Sequence, residues 1–349
     1  MAFTECQEAK EFVVKAGIEL VKSELIARTW GNVSCRIDGE TFVITPSGRE
    51  YLSLTPDEIV EVKIKDLSYE GTIKPSSEKG IHAEVYRLFP DVNFVIHTHQ
   101  ENASALSAVG LDAIPLTINT SVFSKEILCA KYALPGTKTL RKNVLEALKK
   151  TKSKAIILKH HGALCFGEDY EKTLKTAQEL EEICKNFVVD NKGNQRITKE
   201  QKHDRTLTNS QLFVKKEAVL NRRGGFVIYN TDPEVIRYSK LAKSKPLRPF
   251  LDDFAQIVGI KAKVVENKTK SVSKELQHSS AVFIKDFGAL CWGKDEKDAT
   301  AVSMILRKNC KTYFTAKLFG KPTPLNILEC ALMRFVYLKK YSKMSEKPY

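Results

Sequence analysis

The 349-residue sequence predicts an α/β protein built on a mixed sheet, and three observations carry that expectation. Segments with helical apolar spacing alternate with short apolar runs of strand length. An early hairpin signal, Asp38-Gly39 between two strand-like runs, argues against a purely parallel sheet. The last part of the chain repeats part of what precedes it.

The elements follow in order. Phe12, Val13, Ala16, Ile18, Leu20, Val21, Leu25 and Ile26 predict an opening amphipathic helix within residues 5–29. Val33–Ile37 and Thr41–Thr45 flank the hairpin turn, Thr55-Pro56-Asp57-Glu58 reads as a helix start, and a strand is expected near Glu61–Ile64. Ser77–Leu88 reads as a helix stopped by Pro90, Asn93–His97 as a buried strand, and Glu101–Val109 as a helix. Leu140–Lys149 and Asp169–Val189 are further helices, with Lys154–Lys159 a strand between them. Asp190–Ser210 is polar and reads as a linker, which divides the chain into residues 1–205 and 206–349.

Beyond that linker, Ala155-Ile156-Ile157-Leu158-Lys159-His160-His161-Gly162-Ala163-Leu164-Cys165-Phe166-Gly167 returns 126 residues later as Ala281–Gly293, with seven of thirteen positions identical. Phe94-Val95-Ile96-His97-Thr98-His99 likewise returns as Phe226-Val227-Ile228-Tyr229-Asn230-Thr231, at an offset of 132. Two matches in the same order predict that 206–349 is a partial second copy of the first domain.

Charge and composition narrow the function classes. Apolar residues make up 42% and charged residues 28%, so a packed core is expected. Apolar runs are too short to span a bilayer, and the N-terminal residues lack a basic leader and apolar core. Eight scattered cysteines without Cys-x-x-Cys fit reduced thiols, so a cytoplasmic location is expected. The net charge is +14, and residues 1–205 sum to zero, so 206–349 carry the whole excess. No nucleic-acid-binding signature accompanies these lysines, which leaves a solvated basic face or a surface attracting small anions.

Three segments concentrate the chemistry. His97 and His99 sit at i and i+2 at a strand end, so both imidazoles reach one side. His160-His161-Gly162 ends another apolar strand, and one imidazole from there would complete a three-histidine face with open positions, as catalytic zinc requires. Pro75-Ser76-Ser77-Glu78 opens a helix, where hydroxyls and backbone N–H groups suit a phosphate and the carboxylate suits a base or a further ligand. A His-x-His pair alone also fits packing, and serines before a glutamate also fit a cap. The repeat discriminates: His97, His99 and His161 become Tyr229, Thr231 and Phe287 while the apolar framework survives. Packing alone does not explain the loss of all three together.

Residues 5–190 resemble the class II aldolase/adducin superfamily, in particular its L-fuculose-1-phosphate aldolases. The resemblance rests on Gly31-Asn32-Val33-Ser34, Thr45-Pro46-Ser47-Gly48, Pro75-Ser76-Ser77-Glu78, His97-Thr98-His99 and His161-Gly162 in that order. It implies α/β/α layers around a central, mainly antiparallel sheet. It implies His97, His99 and His161 as ligands of Zn²⁺ or another divalent cation. Asn32, Thr45, Ser47, Gly48, Ser76 and Ser77 are implied as a phosphate pocket, and Glu78 as the acid/base residue. His160 is then not a ligand, and His82, four residues after Glu78, packs behind the site. The implied reaction is metal-dependent cleavage of a ketose 1-phosphate to dihydroxyacetone phosphate and an aldehyde. Other sugar-phosphate reactions of the superfamily are a dehydration, a decarboxylation and a 4-epimerisation, and adducin-like members use the fold for binding alone.

Two departures from the family pattern stand out. Asn119 occupies the place of a family tyrosine that donates a proton to the leaving aldehyde. The second copy lacks counterparts of the glycine-asparagine, threonine-proline-serine-glycine and serine-serine-glutamate motifs. Family enzymes are four-fold tetramers, so the chain is expected to be a homo-oligomer, a dimer imitating that tetramer. In that arrangement Arg222, Arg223, Lys243, Lys245 and Arg248 would help to draw in phosphate.

Overall fold

The hairpin signal at Asp38 closes as expected. Asp38 Oδ1 accepts from the Glu40 and Thr41 amides, each at 2.7 Å, and joins β1 (Asn32–Arg36) to β2 (Thr41–Ile44) in antiparallel register. The computed structural model describes residues 5–26, 30–117, 120, 122–194, 212, 214–241 and 245–341. The chain divides into two units, Met1–Asp190 with Tyr341–Tyr349, and Asn191–Lys340.

In the first unit, α1 (Cys6–Lys22) precedes the hairpin, and β3 (Val60–Lys63) follows it. Next come α2 (Lys79–Leu88), β4 (Phe94–Thr98), α3 (Glu101–Ser107), β5 (Ala113–Pro115) and β6 (Glu126–Ala130). The unit ends with α4 (Lys138–Leu148), β7 (Ala155–Leu158), β8 (Gly162–Gly167) and α5 (Tyr170–Asn194). The eight strands form one sheet in the order β3-β2-β1-β4-β8-β7-β6-β5. Every neighbouring pair is antiparallel except β6 with β7.

Strand alternation buries both faces of this sheet. Val95, Ile156, Leu158, Leu164 and Phe166 meet Ile81 and Val85 of α2 and Leu140, Val144 and Leu148 of α4. The alternate residues, among them Val33, Cys35, Ile96 and Cys165, are buried on the face toward α1 and α3. Helices on both faces of a mainly antiparallel sheet give the α/β/α layering that the sequence resemblance implies.

Three local expectations change. The opening helix stops at Lys22 because Glu24 takes a left-handed conformation (φ 57°), although Leu25 and Ile26 still bury and so extend the apolar spacing. The helix start at Thr55 is only a 3-10 turn over Pro56–Glu58. The expected linker begins later, since α5 runs on to Asn194, and residues 195–211 lie outside those described.

The second unit opens with α6 (Lys216–Arg223), β9 (Phe226–Asn230), α7 (Pro233–Leu241), α8 (Asp252–Ile257) and β10 (Val264–Val265). It continues with α9 (Thr269–Leu276), β11 (Ala281–Ile284), β12 (Gly288–Gly293), α10 (Glu296–Leu318) and α11 (Ile327–Val336). Its sheet order is β10-β11-β12-β9. The register reproduces that of the first sheet. Ala155↔Cys165 and Leu158↔Gly162 in β7/β8 become Ala281↔Cys291 and Ile284↔Gly288 in β11/β12. Phe94↔Gly167 in β4/β8 becomes Phe226↔Gly293 in β9/β12, and the parallel β6/β7 pair is matched by parallel β10/β11. His160 and Asp286, at equivalent turns, both have positive φ, 58° and 62°. Among the described residues nothing in this sheet matches β1–β3, so β9 is an edge strand. No helix among the described residues is long and apolar enough to cross a membrane.

Candidate active site

The three histidines that the sequence places at two strand ends meet. β4 and β8 are adjacent and antiparallel, so the end of β4 carries His97 and His99 to the turn that leads into β8, where His161 stands. His97 Nε2 lies 3.1 Å from His99 Nε2 and 2.9 Å from His161 Nε2. His97 and His161 are buried, with rings stacked at 4.8 Å, while His99 is half-buried and forms the open side. Gly162 permits this approach, because a Cβ there would stand 2.1 Å from the Thr98 carbonyl oxygen. His160, in its left-handed turn, points elsewhere and packs edge-on against Tyr132.

Glu78 reaches the same point from the start of α2. Its Oε2 lies 3.3 Å from His97 Nε2 and its Oε1 lies 3.2 Å from His161 Nε2. Burial opposes ionisation of this carboxyl, but the facing His161 and His97 rings outweigh it and hold Glu78 well below the usual carboxylate range. Burial also pushes His97 down to about 3, so its ring is neutral at ordinary pH.

His97 Nδ1–H donates to the Ala163 carbonyl at 2.8 Å, which turns the lone pair on Nε2 inward. Ligand nitrogens bound at about 2.0–2.1 Å to one tetrahedral ion stand roughly 3.3 Å apart. The 2.9 Å and 3.1 Å separations are close to that spacing, and Glu78 Oε1, buried, receives no hydrogen bond. A donor set of three imidazoles with an adjoining carboxylate suits a divalent cation.

Behind Glu78 runs a ladder of buried hydrogen bonds whose direction is fixed throughout. Asn32 Nδ2 donates to Glu78 Oε2 at 3.1 Å, so Asn32 Oδ1 is the acceptor for His82 Nε2–H. His82 Nδ1 must then accept from Ser34 Oγ at 2.7 Å, and Ser34 Oγ accepts from Tyr86 Oη, also at 2.7 Å. Burial pushes His82 down to about 3, consistent with this neutral tautomer. Sequence reading singled out Asn32, Glu78 and His82 but missed Ser34 and Tyr86. A signal was present: Glu78, His82 and Tyr86 recur at i, i+4 and i+8, and Asn32 and Ser34 at i and i+2.

The remaining expected site residues lie on two loops clamped together. Ser47 N donates to Lys74 O at 2.9 Å, Ser76 N donates to Thr45 O at 3.0 Å, and Pro46 bridges Pro75. The structure therefore gathers Thr45, Ser47, Gly48, Ser76 and Ser77 at the mouth of α2. Their side chains differ in availability. Thr45 Oγ1 is buried and accepts from Val33 N at 3.2 Å, and Ser76 Oγ accepts from Glu78 N at 3.2 Å. Ser77 is exposed, Ser47 is half-buried, and Gly48 has a positive φ of 75°. Asn32 belongs to the ladder rather than to this loop cluster. Gly31, with φ 82°, lets the chain pass the His97 carbonyl, since a Cβ there would approach it to 2.6 Å.

Other expected participants are engaged elsewhere or lie beyond the described residues. Arg36 donates to the carbonyls of Val92, Tyr86 and Phe89 and holds the end of α2. Arg49 pairs with Glu58 at 3.5 Å. Arg248 donates to Leu325 O inside the second unit, while Lys245 is exposed. Asn119, Lys243 and the side chains of Arg222 and Arg223 are outside the described residues. In the second unit the positions matching His97 and His161 hold Tyr229 and Phe287, packed edge to face at 5.5 Å.

Residues 11–188 match the Class II Aldolase and Adducin N-terminal domain. An L-fuculose 1-phosphate aldolase is 27% identical over 54% of this chain and 89% of its own, with a TM-score of 0.51. The L-fuculose-1-phosphate aldolase from Thermus thermophilus is 28% identical over 53% of this chain and 97% of its own, with a TM-score of 0.45. Since that domain covers more than half of the sequence, the chain belongs to the class II aldolase and adducin family.

Proposed function

We propose that the chain is a zinc-dependent aldehyde-lyase that cleaves a ketose 1-phosphate into dihydroxyacetone phosphate and an aldehyde. The observation that carries this reading is the clustering of the His97, His99 and His161 imidazoles, two of which face the Glu78 carboxylate. His97, His99 and His161 would hold the cation, which when bound supplies a Lewis acid for the charge that carbon–carbon cleavage leaves on the substrate oxygens. Glu78, held ionised and aimed by Asn32, moves the proton to and from the substrate carbon. Ser47, Gly48, Ser76 and Ser77 bind the phosphate, so that its binding energy orients the reacting carbons. The half-buried side at His99 admits the substrate, and the buried rings of His97 and His161 exclude water from the rear. The likeness to an L-fuculose 1-phosphate aldolase supports the substrate class.

We further propose that the second unit is a degenerate copy of the first, with an aromatic pair filling the place of the metal site. The shared register of β4/β8/β7 and β9/β12/β11 supports this. The chain would act as a homo-oligomer in the cytoplasm.

Two measurements test the catalytic reading together. Purified protein should hold about one divalent ion per chain, lost in His97→Ala, and should release dihydroxyacetone phosphate from one of a panel of ketose 1-phosphates. Glu78→Gln should keep the metal and lower turnover by at least about 100-fold. Full metal occupancy with no product from any ketose 1-phosphate would overturn the substrate class. Unchanged turnover in Glu78→Gln would overturn the role of Glu78.

A further inference from the structure

The outer face of α11 is apolar, where a surface helix normally carries charge. The helix is docked by buried Cys330 and Met333 and by Arg334. The Arg334 guanidinium donates to the carbonyls of Gln256 and Ile257, each at 2.6 Å, and to Ser280 Oγ at 3.1 Å. Those two carbonyls end α8, so the cation rests on the negative end of a helix. The opposite face presents Ile327, Leu328, Leu332, Phe335 and Val336, and Leu338 just past the helix end continues it, each 40–77% exposed. With its charge locked inward, α11 cannot roll to bury this stripe.

Large apolar side chains carry roughly 200 Å² apiece, so these exposures amount to on the order of 600 Å². That is at the upper end of the patch a typical monomer exposes, about 300–600 Å². It also matches the apolar share, about 65%, of the roughly 800 Å² that each partner contributes to a standard homodimer interface.

We propose that this face pairs with the same face of a second copy of the chain about a two-fold axis, with the two α11 helices antiparallel and crossing near Leu332. Leu332 lies midway along the stripe, so antiparallel packing sets Ile327 of each copy against the far end of the other stripe, and the patch is self-complementary. Lys339 stands over the Phe335 ring at 4.5 Å at one end of the stripe. Antiparallel packing keeps the two Lys339 ammonium groups at opposite ends, whereas parallel packing would place like charges together. An anionic membrane is the other occupant that such a face invites. It is the weaker fit, because Lys339 is the single cation on the stripe among the described side chains.

The inference does not depend on the catalytic reading, and its test needs neither metal nor substrate. Light scattering of the full chain at about 10 μM should give a particle of at least twice the 39.3 kDa chain mass. The double substitution Leu328→Glu, Leu332→Glu should halve that mass and raise the dissociation constant at least about 100-fold, with far-UV dichroism unchanged. Should the double variant misfold, Leu332→Cys decides instead, since oxidation should cross-link two chains through helices that cross there. A monomeric wild type would overturn the proposal, as would a mass unaltered by the folded double variant. So would a monomer that co-sediments with phosphatidylserine vesicles, or an oxidised Leu332→Cys sample without cross-linked chains.

Discussion

The Asn32 amide nitrogen donates to Glu78 Oε2 at 3.1 Å, and this one contact couples the carboxylate to the interior of the sheet. On its other side Asn32 accepts from His82, so its side chain serves two buried partners at once. Asn32→Ala would leave a buried carboxylate oxygen without its donor and a buried imidazole N–H without its acceptor. Each orphaned group costs about 1–3 kcal/mol, so unfolding in urea should show a loss of about 2–6 kcal/mol. Because the carboxylate that borders the histidines would no longer be fixed, metal affinity should fall about 10–100-fold. Metal titration returning the wild-type affinity would sink this view of Asn32.

The tautomer assigned to His82 makes a prediction about pH. Its ordinary value near 6.5 is depressed to about 3 in the folded chain by burial, so the native ring stays neutral where the unfolded ring takes up a proton. The resulting stability is present in full above pH 6.5 and is lost as pH falls toward 3. Between pH 7 and pH 5 this one group should remove about 2 kcal/mol. His82→Gln retains a donor and an acceptor but cannot protonate. In chelator-treated protein the variant should therefore lose about 2 kcal/mol less than wild type over that interval. Equal pH slopes for the two proteins would show that His82 is not buried as a neutral ring.

Glycine substitutions separate backbone strain from close approach. Gly31 and Gly71 have nearly the same conformation, φ 82° and 83°, but an added Cβ meets the His97 carbonyl at 2.6 Å in the first and open space in the second. Gly71→Ala should cost only about 1 kcal/mol, the expense of a left-handed alanine. Gly31→Ala adds a collision with backbone that supports a metal ligand, and should cost at least about 3 kcal/mol. Thermal unfolding of both variants measures the difference. Only Gly31→Ala should also weaken metal binding.

How much of this was legible in the sequence differs between fold and site. The short apolar runs around Val95 and Ile156 reported the sheet, because strands buried on both faces read as continuous apolar segments. The short β5 and β6 were missed: Ala113–Pro115 contains a proline, and Glu126–Ala130 exposes its first residue, so neither shows clean alternation. The opening helix was overextended because Leu25 and Ile26 bury at helical intervals after the chain has left the helix. The histidine cluster is readable because strand ends bring i and i+2 together and the repeat supplies a contrast. The ladder through Ser34 and Tyr86 was not recognised, because its serine and tyrosine are also ordinary core residues. Only the tertiary pairing of β1 with α2 gives their hydroxyls a direction.

The aromatic pair in the second unit allows the two units to be tested against each other. Phe287 is buried, packs edge to face on Tyr229, and belongs to a core with Val227, Val282, Ile284 and Leu290. Removing its ring leaves a cavity that β11 and β12 cannot collapse, since both strands are fixed by their pairing. Phe287→Ala should therefore destabilise the second unit by about 3–5 kcal/mol. The first unit has its own core and the proposed metal site, so metal stoichiometry should stay at the wild-type value. His161→Ala, at the matching position, should show the opposite pattern, with the metal lost and the second unit intact. In a Trp30→Phe background, denaturant unfolding followed at Trp292, which adjoins the Phe287 core, reports on the second unit, while metal analysis reports on the first. Loss of metal in Phe287→Ala would mean that the aromatic pair supports the histidine site, contrary to two copies with separate duties.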